Sequence, residues 1–435
     1  MSTTNTLNTA EPLLLQHDDP YVRKPWLKWL ALLAALMAWG IDGIEQNMYA
    51  LMTRDVLKDL IPKITNEDVN RYFGYSMAMW LWGAAVGGVF FGRIGDRFGR
   101  AKGLALAVFT YATCTGLLTF ATHWYHLMIC RFVGAIGLGG TWGLCVALIV
   151  ETWPERRRPL LAGCVGAAAN VGFLIAALYS KHMTDLGYDW RWVFRVDSLL
   201  GFIALPLILC VPEPAQWKLS KQKKEKSRFS ELFSPEYRRN TIVGSLLATV
   251  ALLGTWGSFL WLSKYMNEIA VNTDYAKTAG MITARWASIG QIGGGFLGGL
   301  IITWLGIRFS WCLLCILAWA GVTALYGFNT TFSNQAIVMA IFVSFPVAAF
   351  FGWLPKFLPE LFPLRIRASG QGFSYNIGRV LAGIGAIITG ILGASMNSRK
   401  GAMCMAGIYL IGLIVIWFAP DTKGKMMDEA TSVSK

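Results

Sequence analysis

Twelve apolar runs, each of about 20 residues, are the feature that most constrains this chain. A helix of that length satisfies every backbone hydrogen bond within itself, so it can cross the hydrocarbon core of a bilayer. The runs predict helices at 26–50, 71–92, 103–122, 126–150, 159–180, 192–211, 240–263, 277–302, 309–328, 335–357, 367–393 and 401–419. We therefore expect an all-α membrane protein with twelve transmembrane helices.

Composition agrees with this prediction and disfavours other classes of protein. The 435 residues are 55% hydrophobic and only 15% charged, whereas soluble domains contain about a quarter charged residues. The net charge of +14 in so apolar a chain indicates a membrane surface as anionic partner, and no nucleic acid. All eight cysteines lie in apolar runs and the four histidines lie apart from acidic clusters, so no disulfide framework and no metal site are expected.

Basic residues predict the orientation of the chain. Twelve helices place both termini on one side, and if that side is cytoplasmic it holds 25 of the 39 Lys and Arg residues, against 11 outside. Because cytoplasmic loops are enriched in Lys and Arg, we expect both termini in the cytoplasm. Residues 1–25 lack the apolar core of a secretory signal peptide. The expected location is the cell (inner or plasma) membrane.

An internal repeat divides the helices into two sets of six. The pattern E-x-x-P-x-x-x-R after helix 4 recurs after helix 10, displaced by 209 residues, and three further sets of markers keep nearly that offset. Six intervening helices give both copies the same direction, so two pseudo-symmetric bundles with a site between them are expected. The predicted divisions are a cytoplasmic tail at 1–25, bundles at 26–211 and 240–419, a basic linker at 212–239 facing anionic lipid headgroups, and a cytoplasmic tail at 420–435.

The segment between helices 2 and 3 reads G-R-I-G-D-R-F-G-R-A-K at 92–102. Its glycines allow a tight turn, and its basic residues can pair with Glu151 at the inner end of helix 4. The segment closely resembles the signature of the major facilitator superfamily, and R-F-V-G-A-I-G-L-G at 131–139 resembles the family's fourth-helix motif. The sequences P-E-P-A-Q-W at 212–217 and P-D-T-K-G at 420–424 resemble those that close the two halves of sugar-porter-like members.

This resemblance implies rocker-switch alternating access, in which cytoplasmic ion pairs hold the outward-facing state closed. The gating residues that it implies are Gly92, Asp96, Arg97, Gly99, Arg100, Glu151, Arg158, Glu360 and Arg367. The second half has Thr303 and Trp304 at the positions of Asp96 and Arg97, so the charged lock is expected to be stronger in the first half. The alternative role is orientation and folding of the inner loops.

Five ionisable residues mark the predicted helices at membrane depth, where a charge costs several kilocalories and therefore suggests function. They are Asp42, Glu45, Arg131, Arg285 and Arg379. Asp42 and Arg131 lie at similar depth, so we expect them to meet and to couple proton uptake to conformational change. Members that resemble this chain use an acid on helix 1 and an arginine on helix 4 in this way. Glu45, three residues from Asp42, is expected to titrate with it. A static ion pair is the alternative.

Two acids against three arginines favour an anionic substrate, because a guanidinium binds a carboxylate through two parallel hydrogen bonds. Arg379 is the preferred substrate ligand and Arg285 the second; the alternative for Arg379 is a bond to helix carbonyls. Other predicted lining residues are Asn170, Trp256, Trp286, Gln291, Tyr375 and Asn376.

The expected function is secondary active transport: proton-coupled uptake of an organic anion such as a carboxylate or acidic sugar. The D-G-x-acid element at 42–45 and the N-I-G-R element at 376–379 resemble the bacterial metabolite:proton symporters for aromatic acids, sialate and other carboxylates. The alternatives are a sugar or polyol symporter, a metabolite or drug exporter and a non-transporting membrane sensor. We expect a functional monomer, no enzymatic activity, and no cofactor beside the proton gradient that supplies the energy.

Overall fold

The structure, a computed structural model, describes residues 20–154, 157–214, 217, 229–257, 261–362, 366–396 and 398–420. Within those ranges a few side chains lie outside the description, among them Asp96, Arg158 and Arg367. After a short helix at Pro20–Arg23, the main helices are α1 (Trp26–Leu60), α2 (Asn66–Phe98), α3 (Arg100–Leu118), α4 (Trp124–Thr152), α5 (Arg158–Asp185), α6 (Trp190–Leu209), α7 (Arg238–Gly257, continued by Leu262–Ile269), α8 (Ala279–Leu305), α9 (Ile307–Phe328), α10 (Asn334–Glu360), α11 (Arg367–Met396) and α12 (Ser398–Ala406, continued by Ile408–Val415).

The prediction of an all-helical membrane fold is confirmed. Eleven of the helices are long and apolar enough, over their described residues, to cross a membrane, and α11 adds a further 30-residue helix. The predicted ends are less accurate: α1 continues to Leu60, although its apolar run ends near residue 50. Buried Met52, Val56, Leu57 and Leu60 recur at helical spacing, so packing on one face extends α1.

Side-chain caps set the starts of several helices. The hydroxyl of Thr65 accepts a hydrogen bond from the backbone N–H of Asp68 before α2. The carboxylate of Asp189 before α6 accepts from Trp192 in the same way. Each cap supplies an acceptor to one of the N–H groups that the first helical turn leaves without a partner.

Buried hydrophobic side chains form two clusters, one built mainly by α1–α6 and the other by α7–α12. Trp256 of α7 and Trp261, which directly precedes the second segment of α7, join the first cluster, so the bundles share part of their core. The bundles meet where α2 packs on α11 and where α5 packs on α8. Small residues allow this approach: a methyl group added at Gly74 would lie 2.7 Å from the carbonyl oxygen of Ala386.

The repeat is visible in the backbone. Gly99 separates α2 from α3 with φ 121°, and Gly306 separates α8 from α9 with φ 76°. Both values lie in the region that favours glycine. The predicted two-bundle, pseudo-symmetric architecture is therefore confirmed at the turns that distinguish it.

Candidate functional site

A cavity that is partly open to solvent lies between the two bundles, and its free space, counted together with its open mouth, is ≈ 1170 Å³. Its wall is strongly aromatic, with side chains from both halves: Trp39, Trp80, Trp142, Phe173, Trp256, Phe351 and Tyr375. Amide groups also line it: Gln46, Asn47, Asn170 and Gln291. Among the described residues Arg379 is the one charged side chain in this lining.

Five of the predicted substrate ligands line the cavity: Asn170, Trp256, Gln291, Tyr375 and Arg379. The sixth, Asn376, lies behind the wall and accepts a hydrogen bond from Arg379 at 3.3 Å. Arg285 and Trp286 lie outside the lining. The indole of Trp286 is exposed, and the Arg285 guanidinium lies over it, 5.1 Å from the ring centre. The helical period is the reason, because it points residues 284, 287, 288 and 291 inward and turns 285 and 286 away.

Arg379 is buried and fixed at the interface between the bundles. Its Nη1 donates to the carbonyl oxygens of Ala84 on α2, at 3.1 Å, and Gly139 on α4, at 3.5 Å. The guanidinium also lies 4.9 Å from the ring centre of Tyr375, which stacks on Trp142 of the other half. The alternative of bonds to helix carbonyls is therefore realised, and the same side chain still forms part of the cavity wall.

A buried ion pair lies next to the cavity, but its acid is not the predicted one. Arg131 Nη1 lies 2.6 Å from Glu45 Oε1, and both side chains are almost fully buried. The predicted contact between Asp42 and Arg131 is wrong as a direct pair. Asp42 and Glu45 share one face of α1, yet the packing of α4 brings Arg131 to Glu45. The Arg131 guanidinium also lies 4.5 Å from the ring centre of Tyr49.

Asp42 is fully buried and connects to the cavity through an amide. Gln46 Nε2 donates to Asp42 Oδ1 at 2.7 Å, and Gln46 itself lines the cavity. The second Asp42 oxygen has no hydrogen-bond donor among the described residues. One side chain, that of Gln46, thus separates this acid from the space that a substrate would occupy.

A third buried acid, Asp197 on α6, was absent from the predicted set. Its side chain is 2% exposed. The rule that flags ionisable residues within apolar helices would have found it. With Asp197 included and Arg285 turned away, the described interior holds three acids and two arginines. The predicted surplus of arginine is therefore wrong.

The loop between α2 and α3 forms the contact expected of it. Arg100 Nε and Nη2 each lie 2.9 Å from Glu151 Oε1, so this basic residue pairs with Glu151 near the C-terminal end of α4, as predicted. Glu213 has a role that its sequence motif does not predict. Its carboxylate accepts from the backbone N–H groups of Arg100, Ala101 and Lys102, and so caps α3.

The other predicted gating residues are less informative. Gly92 has open space where a side chain would begin, Arg97 is exposed over the ring of Phe98, and Glu360 ends α10 half-buried. The side chains of Asp96, Arg158 and Arg367 lie outside the described part of the chain. Their predicted roles in gating stay predictions.

The corresponding loop of the second half differs in its sequence and in its described contacts. Ile307 stands at the repeat position of Arg100, and Lys356 Nζ donates to the hydroxyl of Thr303 at 2.6 Å. The second half thus has a hydrogen bond to a neutral hydroxyl at the position where the first half has the acid Asp96. The expected difference in strength between the two charged locks stays a prediction.

Comparisons with known proteins extend these observations. The Major Facilitator Superfamily profile matches residues 29–382. A putative metabolite transport protein of Haemophilus influenzae is 26% identical over 92% of this chain and 98% of its own length. The sialic acid transporter of Escherichia coli is 26% identical over 78% of this chain and 82% of its own, and the cis,cis-muconate transport protein of Acinetobacter baylyi 26% over 90% and 94%.

Solved structures give the same fold. The crystal structure of a D-xylose-proton symporter superposes with a TM-score of 0.69 at 18% identity, covering 91% of this chain and 99% of that one. With twelve helices in two related bundles, a cavity between them and a family profile that covers most of its length, this chain is a multi-pass membrane protein that belongs to the Major Facilitator Superfamily.

Proposed function

We propose that this protein is a proton-coupled symporter that takes up an organic anion by rocker-switch alternating access. The observation that carries the proposal is a cavity between the bundles with one lining charge, Arg379, and buried acids directly behind its wall. Arg379 supplies a positive group for the substrate anion, and the acids supply sites for protons.

Charge balance favours co-transport with protons. If Asp42, Glu45 and Asp197 were all ionised against Arg131 and Arg379, the buried groups would carry one net negative charge. An entering anion would add a second, and uncompensated charge in a low-dielectric interior is strongly unfavourable. Protonation of the acids removes this penalty, so anion and proton favour each other's binding.

Side chains at the interface can transmit the proton state to the bundles. The Arg131 guanidinium lies 5.9 Å from the ring centre of Trp80, and Trp80 in turn packs on Trp256 of the other half, 4.8 Å between ring centres. When Glu45 takes up a proton, its attraction to Arg131 weakens. A shift of Arg131 then reaches the contact between the halves through Trp80.

The aromatic wall points to a carboxylate with a flat or largely apolar body. Stacking of such a body on indole and phenol rings would complement the charge of Arg379. The relatives named for muconate and sialic acid support a carboxylate substrate, and muconate fits this wall better than a highly hydroxylated acid does.

The proposal also covers the location of the protein, its orientation in the membrane and its functional unit. We place the protein in the bacterial inner membrane with both termini in the cytoplasm, in agreement with the excess of Lys and Arg on that side. For the basic linker, whose residues 218–228 lie outside the described part of the chain, we propose anionic lipid headgroups as the partner. We further propose that the functional unit is the monomer and that the proton gradient replaces any cofactor.

Transport into liposomes tests the proposal. Purified protein is reconstituted and supplied with labelled muconate, benzoate, sialic acid or xylose, with and without an inward proton gradient. We expect the gradient to drive accumulation of at least one carboxylate but not of xylose. Carboxylate uptake that ignores the gradient would exclude proton coupling, and uptake of xylose alone would reverse the substrate class.

Two substitutions then locate the proton sites. Asp42→Asn and Glu45→Gln should each abolish gradient-driven accumulation but spare exchange of labelled for unlabelled substrate, because exchange needs no net proton movement. Asp185→Asn is the matched control, since Asp185 is a surface acid that pairs with Lys181 four residues earlier. If both buried variants accumulate substrate as well as this control does, these acids have no part in coupling.

A further inference from the structure

Asp197 is a buried acid without a hydrogen-bonding partner in the described structure. Neither carboxyl oxygen receives a hydrogen bond, although the side chain is 2% exposed. An ionised carboxylate in that position would have lost its water without gaining donors, at a cost of several kilocalories. The adjacent Ser198, by contrast, donates to the carbonyl oxygen of Ala112 at 2.8 Å.

Every helix that faces Asp197 brings a titratable or charged group. α1 contributes Asp42 and Glu45, and α4 contributes Arg131, all within electrostatic range of the Asp197 carboxyl. α3 and α5 contribute the phenols of Tyr111 and Tyr179, whose hydroxyls have no described hydrogen bond. The cluster thus holds three acids around one guanidinium.

Only one of the three guanidinium nitrogens of Arg131 forms a hydrogen bond within the described structure. Nη1 binds Glu45, while Nε and Nη2 are buried and have no hydrogen-bond acceptor among the described residues. Buried donors without acceptors are rare and costly. Unused donors on Arg131 and unused acceptors on Asp197 therefore lie within electrostatic range of each other, and a movement of Arg131 that brought them together would satisfy both.

We propose that Asp197 is a second proton site, which holds a proton while Glu45 is paired with Arg131 and exchanges roles with Glu45 during transport. In the exchange, the proton leaves the Asp197 carboxyl and binds the Glu45 carboxylate. Glu45 becomes a neutral acid and releases Arg131, whose counter-ion is then the Asp197 carboxylate. The net charge of the cluster is unchanged, so Arg131 moves without ever losing a negative partner. This role rests on the proposed proton coupling.

Infrared difference spectroscopy of the purified protein tests the proton on Asp197 without any substrate. The spectrum of a protonated carboxyl contains a C=O stretching band that a carboxylate lacks. We expect such a band at neutral pH in the parent protein, the loss of one component of it in Asp197→Asn and the return of that component at a shifted frequency in Asp197→Glu. Asp189→Asn, an acid-to-amide change at the start of the same helix, should keep the band. An unchanged band in Asp197→Asn overturns the proposal.

Transport separates this proposal from the proposed function. In liposomes with labelled muconate and benzoate, Asp197→Asn should retain exchange and lose gradient-driven accumulation, whereas Asp189→Asn should retain both. If the parent protein itself ignores the gradient, the proposed function fails, while the infrared band still decides whether Asp197 holds a proton. Normal accumulation by Asp197→Asn would remove Asp197 from the coupling mechanism.

Discussion

The two bundles share a backbone plan but differ in their buried charges. In the described structure, the first half holds four of the five buried Asp, Glu, Lys or Arg side chains, namely Asp42, Glu45, Arg131 and Asp197. The second half holds one, Arg379. The same contrast appears at the inner loops, where Arg100 pairs with Glu151 in the first half and Lys356 bonds to a hydroxyl in the second.

This difference indicates that the two halves have different roles in transport. A repeat in which both copies carried buried acids would bear the desolvation cost twice without any evident gain. Here the first half carries the groups that can take up protons, and the second supplies the lining cation that can hold an anion. The two functions meet at the interface, where Arg379 donates to Ala84 of the first half.

Removing one arginine from each half tests this contrast most strongly. Arg131→Met leaves Glu45 as an unpaired buried charge and should lower the free energy of unfolding by about 3–5 kcal/mol. Arg285→Met in the second half removes only a cation–π contact with Trp286 and should cost about 0.5–1 kcal/mol. Denaturant unfolding in detergent, followed by tryptophan fluorescence, measures both.

The double variant Arg131→Met, Glu45→Met serves as the control for the first substitution. Because a buried ion pair can be replaced by apolar side chains at little cost, most of the lost stability should return. Equal destabilisation by Arg131→Met and Arg285→Met would contradict the contrast between the halves.

The helix caps at the inner end provide a second, smaller test. Glu213→Ala removes the acceptor for three backbone N–H groups at the start of α3, which should cost about 1–2 kcal/mol and raise amide exchange at residues 100–102. Arg308→Ala in the second half loses a hydrogen bond to Ala419 and the ring of Trp417, at a cost of about 1 kcal/mol or less.

Hydrogen exchange with mass spectrometry distinguishes these two effects, since each should be confined to its own helix end. A conservative control is Glu213→Gln, which keeps a carbonyl acceptor but loses the charge, and should fall between the parent protein and Glu213→Ala. Unchanged protection at residues 100–102 in Glu213→Ala would show that the cap contributes nothing to α3.

The sequence predicts the helices and the repeat better than the contacts. Transmembrane helices follow from hydropathy because the bilayer leaves the backbone no other option, and the glycine offset of 207 residues marks equivalent turns. Whether Asp42 or Glu45 reaches Arg131 depends on the rotation of α1 against α4, which tertiary packing sets. The orientation of Trp286 depends in the same way on the rotation of α8. Asp197, by contrast, could have been found from its position in an apolar helix.

The smallest expected effect concerns the inner ion pair. Arg100→Lys keeps the charge but loses the paired Nε and Nη2 contacts to Glu151, which should weaken closure of the inner side by about 0.5 kcal/mol. Thr303→Ala, the matched change in the second half, removes only an exposed hydrogen bond.

Distances between spin labels at exposed positions 102 and 309 report the population open to the inside. About 0.5 kcal/mol corresponds to roughly a twofold population change. We expect this change in Arg100→Lys and a smaller one in Thr303→Ala, because the first contact joins two charged groups and the second ends on a neutral hydroxyl. Equal shifts would mean that the two contacts contribute equally to closure.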